Sequence, residues 1–188
     1  MAQDRGARLD GEGAPPQPVG NKTDTQSLPA SSGHPFEIAL RSAGGGEACA
    51  SILAELPQWF GIPQSNADYA RLAEEGPAFV ALAAGRADAI MILKPHFDTA
   101  IEIYLLVVRP NLHRRGVACT LIEQASSCAL ARGARYLTVK TLGPSQVYEP
   151  YERTRAFYLA LGFPPLEEFT QLWGPENPSL LMVRPVAG

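Results

Sequence analysis

Apolar residues recur along this chain with two periods, and the periods switch at recognisable punctuation. "FEIALRS" alternates Phe36, Ile38 and Leu40, the signature of a short half-buried strand. "GGGEACASILAELPQWF" reads as a Gly-rich turn followed by a helix ending near Leu56 and Pro57. "SNADYARLAEEG" predicts a second helix, capped by Ser65 or Asn66 and ended by Gly76. "AFVALAAGRADAIMILKP" predicts two strands around a tight turn at Gly85 and Arg86. "TAIEIYLLVVRP" is longer and nearly all apolar, as a central strand covered on both faces should be.

Helical spacing follows at once. Val117, Leu121, Ile122, Ala125 and Ala129 form one stripe, and Gly133 is a natural stop. "RYLTVKTLG" is the next strand. Strand, helix and strand in this order imply a right-handed crossover, so the two strands are expected to be parallel neighbours. "YERTRAFYLALGF" predicts a last helix stopped at Gly162, and "EEFTQLW" and "SLLMVRPV" predict short terminal strands around "GPENPS". Residues 1–35, rich in Gly, Pro, Ser and Thr, lack this patterning and are expected to be a disordered tail before a domain spanning 36–188.

Bulk properties narrow the classes. The chain has 188 residues, 46% of them hydrophobic, a net charge of −3 and a sequence pI of about 5.6. That suits one domain with a full core and does not suit a nucleic-acid binder driven by overall charge. Any anion site must be local. The three cysteines, Cys49, Cys119 and Cys128, have no metal-ligand spacing and read as small hydrophobes in a reducing, cytoplasmic setting. No stretch approaches a membrane span and no signal-peptide pattern is expected at the N-terminus.

Local charge does appear, at the junction "VVRPNLHRRGVACTLIEQA". A helix beginning near Gly116 points its first free N–H groups at the strand end, and those groups with the helix dipole favour an anion. Gly116 permits close approach to the backbone, and Arg109, Arg114 and Arg115 add positive charge suited to phosphate. The alternative is a solvated basic turn. No Gly-Lys-Ser/Thr and no three-glycine fingerprint is present.

Two stretches together resemble the GNAT superfamily of acyl-CoA-dependent N-acyltransferases. His113-Arg114-Arg115-Gly116-Val117-Ala118 is similar to its pyrophosphate motif, Gln/Arg-x-x-Gly-x-Gly/Ala. Phe157-Tyr158 through Gly162-Phe163 is similar to its later Phe/Leu-Tyr-x-x-x-Gly-Phe helix, and Val108-Arg109-Pro110 fits the preceding Val-x-Pro. The resemblance covers roughly residues 36–185. His113 departs from the family's Gln or Arg, and Tyr151 stands where the family often has Asn.

The resemblance implies an α/β (α+β) fold with a mixed, mostly antiparallel sheet, a parallel split at strands 4 and 5, and flanking helices. It implies acetyl-CoA as co-substrate, no metal, and direct attack of a primary amine on the thioester. Leu106, Val107 and Val108 would pair with the pantetheine and thioester, and His113, Arg114, Arg115, Gly116, Val117 and Ala118 would line the diphosphate. Tyr151 or Thr154 would replace the missing asparagine contact. Tyr158 matches the family's proton donor to the leaving thiolate.

Strand alternation places Glu102, Tyr104, Leu106 and Val108 on one face. Glu102 is the carboxylate of that run, and an apolar strand should raise its pKa toward base work. The competing readings are an ion pair with Lys or Arg, or a water chain as base. His96 is a weaker candidate for the acceptor side, and Arg153 and Arg155 for the nucleotide phosphate. The expected partner is a small-molecule or peptide amine. Neither nucleic acid nor membrane is expected, and a homodimer is left open. A non-catalytic acyl-CoA sensor is the rival class, and an acyltransferase toxin on charged tRNA is disfavoured by the acidic balance.

Overall fold

The computed structural model describes residues 26–27, 36–41 and 43–186. The expected tail of residues 1–35 lies outside the described residues, apart from Gln26–Ser27, which pairs antiparallel with Leu40 and Ala39. Seven longer strands follow: β1 Glu37–Arg41, β2 Ala78–Ala83, β3 Arg86–His96, β4 Ala100–Val108, β5 Tyr136–Leu142, β6 Pro165–Phe169 and β7 Ser179–Pro185. The helices are α1 Gly46–Leu53, α2 Pro63–Glu75, α3 Val117–Ala131 and α4 Glu149–Ala160. Sheet order is β1-β2-β3-β4-β5-β7-β6, antiparallel throughout except for the parallel β4–β5 pair. The parallel pair is where the sequence predicts it, across the α3 crossover. Among the described residues no helix is long and apolar enough to cross a membrane.

The sheet separates two cores. One holds Ile101, Ile103, Leu137 and Val139 against the stripe Val117, Leu121, Ile122, Ala125 and Ala129 of α3, with Tyr158 and Phe163. The other holds Ile90, Ile92, Leu105 and Val107 against Ile52, Leu53 and Ala73 of α1 and α2. This two-sided burial is what the nearly continuous apolar run of β4 requires.

Several boundaries move. α1 ends at Leu53, before the expected Leu56, and two turns, at 54–55 and 57–59, carry the chain toward α2. α2 begins at Pro63, not after a Ser65 or Asn66 cap: proline fixes the first helical φ, and Asn66 instead donates Nδ2 to the Phe60 carbonyl. The β2–β3 turn sits at Ala84 and Gly85, with φ of 49° and 78°. Arg86 already belongs to β3. β6 starts at Pro165, before "EEFTQLW".

One correction bears on function. Strict alternation fails in β4, because Ile92 pairs with Leu105 while Leu93 pairs with Ile103. Tyr104 is an extra residue, a bulge that resets the side-chain period. Ile101 and Ile103 therefore share the α3 face with Leu106 and Val108, while Glu102 and Tyr104 share the α1–α2 face with Leu105 and Val107. The expected common face of Glu102, Tyr104, Leu106 and Val108 does not form.

Arg109 is corrected too. It does not lend charge to an anion site, because it is turned inward and buried. Its Nε donates to the Ala87 carbonyl at 3.2 Å and lies 3.4 Å from Asp88 Oδ1; its other nitrogens meet Ser51 Oγ at 2.7 Å and the Glu55 carboxylate. It ties β3, β4 and α1 together. Arg109→Met removes one of the two cations at buried Asp88, leaving Arg86 at 2.6 Å, and strips the Ala87 carbonyl of its donor; it is expected to lower unfolding stability by about 2 kcal/mol, read as a lower urea midpoint. Glu55→Gln, at a half-exposed carboxylate, should cost under about 1 kcal/mol.

Candidate active site

The bulge also decides where the parallel strands part. β4 and β5 pair from Ala100 opposite Tyr136 to Ile103 opposite Val139, and no further. β5 continues to Leu142 on β7, and β4 continues to Val108 on β3. Between them opens a fork. Backbone groups of β4 that face β5 beyond Ile103 have no strand partner there, so they must meet water, a side chain or a ligand. Leu106, Val107 and Val108 all lie along this arm.

Past Val108 the chain makes a 3-10 turn, Pro110–Leu112, and then two left-handed residues, Arg114 with φ of 62° and Gly116 with φ of 81°. Only glycine adopts such a φ without strain, which accounts for Gly116 at the start of α3. The first bond of the helix is Thr120 N–H to the Gly116 carbonyl. The N–H groups of Arg114, Gly116, Val117, Ala118 and Cys119 have no acceptor among the described residues. Arg114 and Arg115 are exposed and make no ion pair there. His113 turns back instead: its Nε2 lies 2.7 Å from the Val108 carbonyl at the tip of β4.

At the base of the fork sits Glu102, buried on the α1–α2 face. It is not lodged among apolar groups, as its strand suggests. Lys140 Nζ, on β5 one residue beyond the last parallel pair, donates to Oε1 at 2.7 Å, and His96 Nε2 lies 2.5 Å from Oε2. The expectation of an ion-pair partner for this carboxylate is met by Lys140. Tyr104 continues the same face, its ring 5.8 Å from Tyr69 and 5.2 Å beneath Lys94 Nζ. Burial, then Glu102, pushes the Tyr104 phenol up. Burial pushes Tyr69 to about 12.

α4 stands beside β5. Its Tyr158 is buried, between the rings of Phe157 and Phe163 at 5.2 and 5.6 Å. Its hydroxyl makes no hydrogen bond among the described residues. Burial pushes its pKa up, which keeps the proton on at neutral pH. Thr154 donates to the Pro150 carbonyl one turn back. Arg155 is tied to the Leu142 carbonyl and Arg153 to Glu149, so neither is free for a phosphate in this arrangement. Cys119 is half-buried, and burial pushes Cys49 to about 12, far from a thiolate nucleophile.

The profile of the acetyltransferase (GNAT) family matches residues 48–163, more than half of the chain. The chain belongs to the GNAT acetyltransferase family. It is thereby an acyltransferase. No curated protein matches it in sequence. Solved structures share its fold. A GNAT-family protein from Desulfovibrio desulfuricans is 15% identical with a TM-score of 0.71, covering 81% of this chain and 99% of that one. A GNAT acetyltransferase from Elizabethkingia anophelis, with acetyl-CoA bound, is 14% identical with a TM-score of 0.61, covering 80% and 98%. The aminoglycoside 6'-N-acetyltransferase from Enterococcus faecium is 16% identical with a TM-score of 0.59, covering 76% and 91%.

In this GNAT chain the two departures from the motif pattern meet at one residue, a tryptophan whose sequence reading is packing or a border of the acceptor cleft. Trp59, in the loop between α1 and α2, packs edge-on to His113 with centroids 6.3 Å apart. Its carbonyl accepts from Tyr151 OH at 3.1 Å, and its Nε1 donates to the Pro150 carbonyl at 3.3 Å. Tyr148 OH adds a bond to the Gln58 carbonyl at 2.9 Å. The loop is thus strapped to the start of α4 and to the anion loop. Lys140 was missed. Its signal was present: in the parallel register it lies two residues past Thr138, the partner of Glu102, and so on the same face.

Because the Tyr158 hydroxyl bonds to nothing in the described chain, Tyr158→Phe should change unfolding stability by less than about 1 kcal/mol in urea titrations. A larger loss would mean that the hydroxyl holds the fold.

Proposed function

We propose that this acyltransferase moves an acetyl group from acetyl-CoA to a primary amine by direct attack on the thioester. The observation that carries the reading is the fork, whose unpaired β4 backbone opens beside a loop with five unbonded N–H groups. An extended arm ending in a diphosphate suits those two features in sequence. The free N–H groups of Arg114, Gly116, Val117 and Ala118, with the exposed side chains of Arg114 and Arg115, would hold the diphosphate, and His113 would wall the cleft from its seat on Val108. Leu106, Val107 and Val108 would pair with the pantetheine arm, and a backbone N–H there would polarise the thioester carbonyl. Thr154 keeps acceptor capacity toward the same arm.

Acetylating an ammonium forms a C–N bond, breaks a C–S bond and releases one net proton. Glu102, directly or through a water chain, would take the proton that frees the amine lone pair, and Tyr158 would protonate the departing thiolate. The acceptor is proposed to be a small-molecule or peptide amine. The aminoglycoside acetyltransferases among the structural neighbours motivate including aminoglycosides in a screen.

Acetyl-CoA at ~100-fold over its Kd should stabilise the protein by about 2.7 kcal/mol and raise Tm by several degrees; no shift at millimolar ligand would remove the co-substrate. Gly116→Glu should erase the shift by putting charge and bulk at the diphosphate. Gly116→Ala, with the same backbone strain, should keep part of it.

Turnover is read by thiol release with acetyl-CoA against kanamycin, spermidine, glycine ethyl ester and a lysine-containing peptide. Thiol release with one of them separates an enzyme from a binding module. Tyr158→Phe should lower kcat at least ~100-fold with little change in acetyl-CoA affinity, and an unchanged kcat would remove Tyr158 as the acid.

A further inference from the structure

The base of the fork carries more machinery than a lone carboxylate needs. Glu102 is 4% exposed, and each of its oxygens already has a partner. Lys140 brings a positive charge across from β5 and holds the carboxylate at the fork. His96, at the end of β3, reaches Glu102 across the hairpin, since Ala100 is its own register partner. The imidazole is the part of this cluster that is open to solvent and carries a ring nitrogen able to accept a proton: its side chain is 39% exposed, and its Nδ1 has no partner among the described residues.

The surrounding charges leave that role to the ring. Lys94 lies directly opposite Glu102, but its Nζ sits over the Tyr104 ring at 5.2 Å. Asp98, in the β3–β4 turn, is exposed and makes no ion pair among the described residues. Tyr104, with its phenol pushed up by burial and by Glu102, is no base at neutral pH. Lys140 is engaged as a donor to the carboxylate.

We propose that the proton acceptor of the acetyl transfer is the Glu102–His96 pair acting as one unit. His96 donates Nε2–H to Glu102 Oε2, which fixes the tautomer and leaves a lone pair on Nδ1. Nδ1 takes one proton from the incoming ammonium, directly or through water, and passes it to bulk solvent. The amine then forms the C–N bond and the C–S bond breaks; the second nitrogen proton offsets the one that Tyr158 gives to the thiolate. Glu102 does not change its protonation state, but steadies the imidazolium, as the carboxylate does in a Ser-His-Asp triad. Lys140 is a positioning residue that holds Glu102 in place through its bond to Oε1. The inference rests on the acetyl-transfer reading and refines its base.

Two measurements on the full chain test it. Long-range nitrogen–proton spectra of the uniformly 15N-labelled protein report imidazole tautomers, with His96 assigned by its loss in His96→Gln. At neutral pH the ring should carry its proton on Nε2, and Glu102→Gln should erase that bias. A ring protonated on Nδ1 instead overturns the pair. This readout needs no acceptor.

The second is thiol release with acetyl-CoA and whichever of the four amines turns over fastest. His96→Gln should lower kcat by about 100-fold and leave the acetyl-CoA KM within about twofold. Added imidazole should restore part of the rate, which repair of a merely structural defect would not do. If Glu102→Gln is inactive while His96→Gln turns over normally, the pair is refuted and the carboxylate stands alone as base. If both variants turn over normally, the base assignment under the acetyl-transfer reading falls with it. If no amine releases thiol, that reading fails, and the spectra still judge the pair.

Discussion

Two parallel strands joined by a crossover helix would ordinarily stay paired along their length. Here they cannot. The extra residue at Tyr104 lets β4 stay registered with β3, but turns it away from β5 after Ile103. Everything else in the site is arranged around that parting. α3 begins where β4 ends, so its free N–H groups face the open end. α4 follows β5, which brings Tyr158 to the other arm. The ion pair between Glu102 and Lys140 spans the closed end. A single inserted residue thus converts a continuous sheet into a cleft, with no insertion of a separate binding domain.

Charge follows the same logic. The protein is mildly acidic, yet the anion loop is basic and unpaired while the fork base is neutralised internally. Of the arginines crowded before α3, the first is structural. Arg109 spends its donors on Ala87, Ser51, Glu55 and Asp88, and so fixes the point from which the loop departs. Arg114 and Arg115 remain in solvent. Buried and exposed arginines two turns of chain apart are chemically alike in sequence, and only the burial of Asp88 distinguishes them.

Much of the fold was legible because its signals are local. The α3 stripe, the glycines at 116, 133 and 162, and the apolar run of β4 each reflect a constraint that a few neighbouring residues impose. The parallel pair was legible from the crossover. What escaped depends on partners distant in the chain. A bulge is a mismatch between two strands, and neither strand announces it alone, so the face of Leu106 and Val108 came out wrong. The helix boundary at Pro63 was missed because a serine and an asparagine nearby offered plausible caps, while proline needs none. Glu102 was found as the carboxylate in its run, but its companions His96 and Lys140 arrive from two other strands. Trp59 reads from sequence as packing or as a border of the acceptor cleft, and its strapping role escapes because a tryptophan in a loop looks the same whether it packs or straps.

That strap has a consequence for how this chain can vary. His113 and Tyr151 lie 38 residues apart and each departs from its family's motif, yet both lean on Trp59, one through its ring and one through its carbonyl. Residues sharing a partner are not energetically independent. Restoring the family's residue at either position alone would leave Trp59 half-supported, while the imidazole and phenol together form a closed set. The two departures are therefore coupled through Trp59 rather than two separate deviations, and the cost of changing one depends on the other.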